Sequence, residues 1–166
     1  MDIRPRRDDD LRELGEVLLR VRDLDGYPVY LPGEDTARFL ALKEGDLAWV
    51  AVLEERVVGH AALTARVRDS VRVVLEGAGV VAPFAHLVRL FVDPGARGRG
   101  VARALLDEVE KEATKRGRAL SLDVVTRDHA ALALYASRGW RQVGTTVLDL
   151  PEMPPFEEYV LVSSSD

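Results

Sequence analysis

The chain contains no cysteine. That excludes disulfides, thiolate metal sites and a cysteine nucleophile together. Histidine is scarce: His60, His86 and His129 stand far apart, and their spacing suggests no metal cluster. No apolar run approaches the roughly 18 residues of a transmembrane helix, so no membrane partner is expected. Met1 to Asp10 lacks the apolar stretch of a signal peptide, which makes a cytoplasmic location the expectation. A basic excess is missing too. Lys and Arg number 23 against 28 Asp and Glu, a formal net charge of -5, which argues against nucleic acid as the main partner. Linkers, repeats and low-complexity tracts are absent, so the 166 residues read as a single domain, 1–166, able to bury its own core.

What is present is an ordinary folding composition, 47% hydrophobic and 31% charged. Leu11, Leu14, Val17, Leu18 and Val21 recur at helical spacing behind acidic residues, predicting a helix over Asp8 to Arg22. Asp23 to Pro32 reads as loop and Glu34 to Lys43 as a second helix. Leu47 to Leu53 and Val57 to Val67 read as a hairpin about Glu54-Glu55-Arg56, Val71 to Leu75 as a strand, and Gly77 to Pro83 as loop. Leu87 to Val92 is expected to be a strand. Val101 to Arg116 is expected to be a helix, with Val101, Ala102, Leu105, Leu106, Val109 and Ala113 on one face and Gly117 at its end. A strand (Leu120 to Val125), a helix (His129 to Arg138) and two strands (Trp140 to Leu150 and Phe156 to Val162) complete the order. This alternation predicts an α+β, three-layer domain.

The most informative stretch is Leu90-Phe91-Val92-Asp93-Pro94-Gly95-Ala96-Arg97-Gly98-Arg99-Gly100-Val101-Ala102. A strand runs into a glycine-rich turn that opens a long amphipathic helix, and the unpaired N–H groups of a helix start suit phosphate oxygens. A Walker A loop needs Gly-Lys-Ser/Thr, which Gly100-Val101-Ala102 does not supply. The dinucleotide pattern G-x-G-x-x-G/A fails here at Arg103. Gly77-Ala78-Gly79-Val80-Val81-Ala82 matches it literally, but Pro83 follows and no long helix opens. A third pattern, Arg/Gln-x-x-Gly-x-Gly/Ala, is met by Arg97, Gly100 and Ala102. A plain turn with solubilising arginines is the bland alternative.

With the downstream helix included, the sequence resembles the GCN5-related N-acetyltransferase (GNAT) superfamily. Two blocks carry the resemblance: LFVDPGARGRGVARALL, Leu90 to Leu106, and LDVVTRDHAALALYASRGW, Leu122 to Trp140. The resemblance implies a mixed, largely antiparallel splayed sheet flanked by helices. It also implies an acetyl-CoA-dependent N-acetyltransferase that passes the acetyl group directly to an acceptor amine, on a small molecule or a peptide or protein N-terminus. No metal is implied, and a monomer or homodimer is expected. Leu90, Phe91 and Val92 would pair with the pantetheine arm, and a backbone N–H of Leu90 or Phe91 would serve the oxyanion. Arg97, Gly98, Arg99, Gly100, Val101 and Ala102 would hold the pyrophosphate, chiefly through their amides.

By the same resemblance Tyr135 would protonate the departing thiolate, its alternative being a buried helix aromatic. Asp123 stands where part of the family has a Glu general base, with His86 and His129 as rival bases. Asp128 stands where the family usually has an Asn that contacts the pantetheine arm, and an N-cap is its alternative role. The acceptor is expected against Tyr27, Tyr30, Glu34, Asp35, Glu152 and Met153, aromatic and acidic groups that suit a cationic amine. A non-catalytic acyl-CoA-binding regulatory module of the same fold is the competing function. The departures at Asp123 and Asp128 leave it open.

Overall fold

Apolar stretches, alternating or continuous, build most of the seven strands, and stripes at helical spacing build the helices around them, in the computed structural model, which describes residues 1–164. The elements are β1 (Asp2–Pro5), α1 (Leu11–Asp25), α2 (Thr36–Leu40), β2 (Leu47–Leu53), β3 (Arg56–Thr64), α3 (Asp69–Gly77) and β4 (Ala85–Val92). They continue with α4 (Val101–Lys115), β5 (Leu120–Val125), α5 (His129–Ser137), β6 (Arg141–Leu148) and β7 (Phe156–Val162). The sheet order is β1-β2-β3-β4-β5-β7-β6. The β1–β2, β2–β3, β5–β7 and β6–β7 ladders are antiparallel, and β4 pairs parallel with β5. The expected fold class is the one found. The β4–β5 ladder has only two residue pairs, Ala85–Leu120 and His86–Ser121, where the sequence leads one to expect the sheet to splay.

Three local expectations need correction. Val71 to Leu75 is not a strand but the middle of α3, with Val71 and Leu75 one turn apart and both fully buried. The five residues Val71-Arg72-Val73-Val74-Leu75, four of them apolar, fit either period, and only the packing partners Phe84, Val160 and Val162 decide it. The second helix is shorter than Glu34 to Lys43, because Asp35 caps it by accepting the Arg38 N–H at 2.9 Å and it ends at Leu40. The third strand stops at Thr64 rather than Val67. β1 has no sequence signal beyond Ile3. It exists through its pairing with β2, Ile3 opposite Ala51.

The chain divides into two compact units. The first comprises Met1–Leu63 and Leu87–Glu112. Its core sets Leu14, Val17, Leu18 and Val21 of α1 against Leu40, Val50, Val57 and Phe91. Each such side chain contributes about 1.5–3 kcal/mol on burial. α4 lies on β3 at Gly59, where an added Cβ would meet Val101 Cγ1 at 3.0 Å and Leu105 Cδ1 at 3.1 Å. At the start of α1, buried Asp10 accepts from both Arg4 Nη atoms (2.8 and 2.7 Å) and from the Arg7 N–H (2.7 Å). The second unit comprises Thr64–His86 and Ala113 onward, with Val71, Leu75, Phe84, Val160 and Val162 as its core.

A fully buried histidine sits in the first unit. His60 lies between Arg6 Nη1, 3.2 Å from its Nε2, and the Arg89 carbonyl, 2.8 Å from its Nδ1. Arginine only donates, so Nε2 accepts and the proton resides on Nδ1, donated to Arg89. Burial, with Arg6 and Arg89 nearby, pushes the His60 pKa down to about 3, despite the opposing bond to the Arg89 carbonyl. A depressed imidazole is neutral in the fold but takes up a proton when unfolded below about pH 6.5. Its contribution is therefore present above that pH and lost as pH falls toward 3, by up to about 1.4 kcal/mol per pH unit. His60→Gln can keep both hydrogen bonds without titrating. Denaturant unfolding between pH 7 and pH 4 is expected to show a shallower loss of stability in the variant than in the wild type.

Candidate active site

In the first unit β4 delivers the chain to a turn built for tight geometry. The Asp93 carboxylate accepts the Gly95 N–H at 2.9 Å and pairs with Arg20, which anchors the turn to α1. The Asp93 N–H itself bonds the Val58 carbonyl at 2.8 Å. Gly98 and Gly100 have φ of +73° and +78°, which other residues adopt only with strain, and nothing lies within 4 Å of a Cβ placed on either. Space is therefore open in front of the backbone where the 15-residue α4 begins. Arg97 is paired with Asp25, and Arg99 with Glu54 at 3.3 Å. Those arginines are committed to carboxylates, which leaves the turn's amides as its distinctive feature. Val101 is buried, and of the preceding strand Phe91 and Val92 are buried while Leu90 is half-buried.

The second unit holds a buried polar network on one face of the sheet. The two-residue period puts Ser121 and Asp123 of β5 on the same side, with His86 beside Ser121 across the parallel ladder. Val125 stands opposite Glu158 and Asp123 opposite Val160, so Glu158 is the diagonal neighbour of Asp123. His86 Nε2 lies 2.7 Å from Asp123 Oδ1 and its Nδ1 lies 2.8 Å from Ser121 Oγ, which in turn reaches the Ala85 carbonyl at 3.3 Å. Arg68, at the start of α3, donates Nη2 to Asp123 Oδ2 at 3.2 Å and to Glu158 Oε1. His86, Ser121 and Glu158 are buried, while Asp123 keeps a 22% exposed side chain.

The two carboxyls are driven apart in proton affinity. Burial pushes Glu158 up, and the adjacent Asp123 charge and hydrogen bond push it further, to about 7 despite Arg68. Burial also acts on Asp123, but the hydrogen bond and charge of His86, the hydrogen bond with Glu158 and the Arg68 charge outweigh it and hold Asp123 down to about 2. A proton shared by the pair therefore resides on Glu158. Among the described residues, no group of three or more His, Asp or Glu side chains is placed to hold a metal ion.

The remaining candidates fall as follows. Tyr135 is the buried residue of α5, 6% exposed, with its ring 5.3 Å from that of Trp140. Asp128 caps α5 by accepting the Ala131 N–H at 3.1 Å, the local role weighed for it. His129 is exposed on the first turn of α5, whereas His86, the other histidine weighed as a base, is hydrogen-bonded to Asp123. Among the acceptor-side residues, Tyr27 packs on Phe39 and Phe91 at 6.2 and 6.4 Å, Glu34 reaches Arg22 at 3.7 Å, and Asp35 is spent on its cap. Tyr30, Glu152 and Met153 lie in the loops 26–31 and 149–155, Tyr30 being 39% exposed. The literal G-x-G at Gly77-Ala78-Gly79 ends α3 instead of opening a helix, and a cavity of about 860 Å³ there is lined by Arg116, Arg118 and Arg141.

Residues 16–140 match the Acetyltransferase (GNAT) family. The chain belongs to that family. This GNAT chain is 45% identical over 67 residues to the N-alpha-acetyltransferase RimI of Mycobacterium tuberculosis, a match covering 40% of the chain and 41% of that relative. It thus spans about two-fifths of that curated relative's length. Among solved structures it resembles the ribosomal-protein-alanine N-acetyltransferase of Brucella melitensis, with TM-score 0.74, 22% identity, and 98% and 99% of the two chains covered. It also resembles Arabidopsis thaliana NAA60 in complex with acetyl-CoA, with TM-score 0.74, 21% identity, and 97% and 96% covered.

Sequence reasoning missed Glu158 and Arg68. Glu158 had a readable signal, since Phe156, Glu158, Val160 and Val162 alternate on one face and a carboxylate there has to be buried. Arg68 had none, because it reaches the site only through the placement of α3. A raised carboxyl stabilises the fold fully below its unfolded value near 4.5 and loses that contribution as pH rises through about 7. Glu158→Gln mimics the protonated form. Its stability relative to wild type, from denaturant unfolding, is expected to be higher at pH 8 than at pH 5.

Proposed function

We propose that this GNAT protein is one acetyltransferase domain that binds acetyl-CoA and transfers its acetyl group to an acceptor amine. The observation that carries the reading is the open turn at Gly98 and Gly100, with unobstructed backbone ahead of a long helix, in a chain whose family match spans residues 16–140. The amides of residues 97–102 suit a pyrophosphate, and the backbone of Leu90, Phe91 and Val92 suits an extended amide-bearing arm. When bound, acetyl-CoA supplies an acetyl group activated as a thioester. The names of the relatives support an α-amine as acceptor. A cytoplasmic protein is the corresponding expectation, and no helix among the described residues is long and apolar enough to cross a membrane.

Within the second unit the residues divide the proton work. An acceptor amine is largely protonated at neutral pH and has to lose a proton before it can attack. Asp123, through its exposed edge and its link to Glu158, gives that proton a path to a carboxyl with affinity near neutral pH, where a general base works best. Arg68 and His86 hold Asp123 in place from both oxygens. Tyr135 holds a proton at its phenol oxygen, the atom assigned to the departing thiolate.

Consumption of acetyl-CoA against a panel of amines and peptide N-termini tests the reading. Tight retention of acetyl-CoA with no turnover would favour the regulatory module instead. Asp123→Asn is expected to lower turnover near neutral pH and recover partly at high pH, where free amine is abundant. A wild-type pH profile in that variant would assign the proton to another group. Tyr135→Phe keeps the ring and its packing against Trp140, so acetyl-CoA affinity and Tm should hold while kcat drops by roughly a hundred- to ten-thousand-fold. Near-normal kcat would leave Tyr135 a packing residue.

A further inference from the structure

Arg89 is out of place by two independent criteria. Of the non-glycine residues at positive φ among those described (Glu34, Glu54, Glu55, Arg89 and Glu152), it is the one inside a strand, at φ 56° in the middle of β4. A left-handed residue there is strained, and such strain persists only where the surroundings impose it. The surroundings are the fully buried His60, which donates to the Arg89 carbonyl at 2.8 Å, stacks on Phe91 at 5.3 Å, and is backed by Arg6, itself tied to the Leu40 carbonyl at 2.7 Å.

The second criterion is charge. The Arg89 guanidinium is half-buried, lies 5.5 Å over the Phe39 ring, and makes no hydrogen bond or ion pair with any described residue. Arginine without a carboxylate is costly to bury. Its charged and polar neighbours are Tyr27, whose ring meets Phe39 edge-on at 6.2 Å, Asp46, whose carboxylate accepts the Lys43 N–H at 3.0 Å, and Arg6, a second cation. Burial holds Arg89 below its ordinary value although Tyr27 and Asp46 pull the other way. No side-chain nitrogen of Arg89 is both sealed from solvent and unpartnered, so the guanidinium can be reached.

We propose that Arg89 is the acceptor-recognition residue, its guanidinium binding a carboxylate that the acceptor carries close to the reacting amine, with the His60–Arg6 clamp holding the β4 kink that aims it. The inference rests on the acetyl-transfer reading and narrows the acceptor from any cationic amine to one bearing an anion. The guanidinium carbon lies 5.5 Å from the Phe39 ring centroid, and a guanidinium fork with no carboxylate partner suits bidentate carboxylate binding. The carboxylate could be the α-carboxylate of a free amino acid or an acidic side chain next to a peptide N-terminus.

Two matched pairs distinguish these sources: free glutamate against isoglutamine, its α-amide, and tetrapeptides opening Ala-Glu against Ala-Gln. Calorimetric binding and acetyl-CoA turnover are measured for wild type, Arg89→Gln and Arg89→Lys, with acetyl-CoA affinity and Tm as controls. The wild type is expected to bind the acid of at least one pair roughly tenfold or more tightly than the amide, the size of a charge-assisted hydrogen bond. Arg89→Gln should erase that preference and Arg89→Lys retain part of it, with acetyl-CoA affinity unchanged. Equal treatment of acid and amide by the wild type in both pairs, or a preference that survives in Arg89→Gln, overturns the assignment. Acid-selective binding lost in Arg89→Gln, without turnover of any acceptor, would leave the recognition standing and sink the transfer reading. Turnover without acid preference would do the reverse.

Discussion

The hydrogen bond from His60 to the Arg89 carbonyl is the constraint on which the first unit turns. It is made by a side chain with no exposure, so water cannot replace it. Breaking it would leave a buried donor unsatisfied, at about 1–3 kcal/mol. The bond holds β4 in a left-handed kink, and everything that follows in the chain takes its direction from there: Leu90 to Val92, the Asp93-anchored turn, and the glycines before α4. A neutral imidazole suits this task. A charged one would oppose both Arg6 and Arg89, and the depressed affinity of His60 keeps it uncharged at any pH where the fold is useful.

The second unit solves a different problem. Three acidic or basic groups from three strands share one face with Arg68, and each alone would be expensive to bury. Together they are satisfied. His86 and Arg68 cover both oxygens of Asp123, Arg68 also reaches Glu158, and one proton between the carboxyls removes the repulsion that two charges would feel. The same arrangement places a proton of near-neutral affinity one hydrogen bond from a partly exposed carboxylate. Stability and, in the proposed reaction, proton transfer would then depend on the same contacts.

The features carried by local spacing were legible. The stripe of α1, the glycine turn, the long α4 and the Tyr135 helix depend on neighbours within a few residues, and the structure has each of them, α1 shifted to Leu11–Asp25 from the expected Asp8 to Arg22. Expectations that depended on distant partners went differently. The helix at Asp69–Gly77 replaced a strand because Val160 and Val162 supply the surface it covers. Asp35 and Glu34, expected on the acceptor side, are exposed residues that also make a helix cap and an ion pair, contacts that spacing did not announce.

Sequence by itself determined the family, the fold class and the glycine turn that opens the long helix α4, because these are written in residues adjacent along the chain. Asp123 and Tyr135 were nameable for the same reason, each lying inside one short block. Tertiary structure alone decided what surrounds them. That His86 is a partner of Asp123, that Glu158 and Arg68 complete the pair, and that the Arg89 guanidinium has no hydrogen bond or ion pair with any described residue all depend on side chains separated by tens of residues. Burial and pairing are properties of the assembled neighbourhood, and no spacing within a strand or helix encodes them.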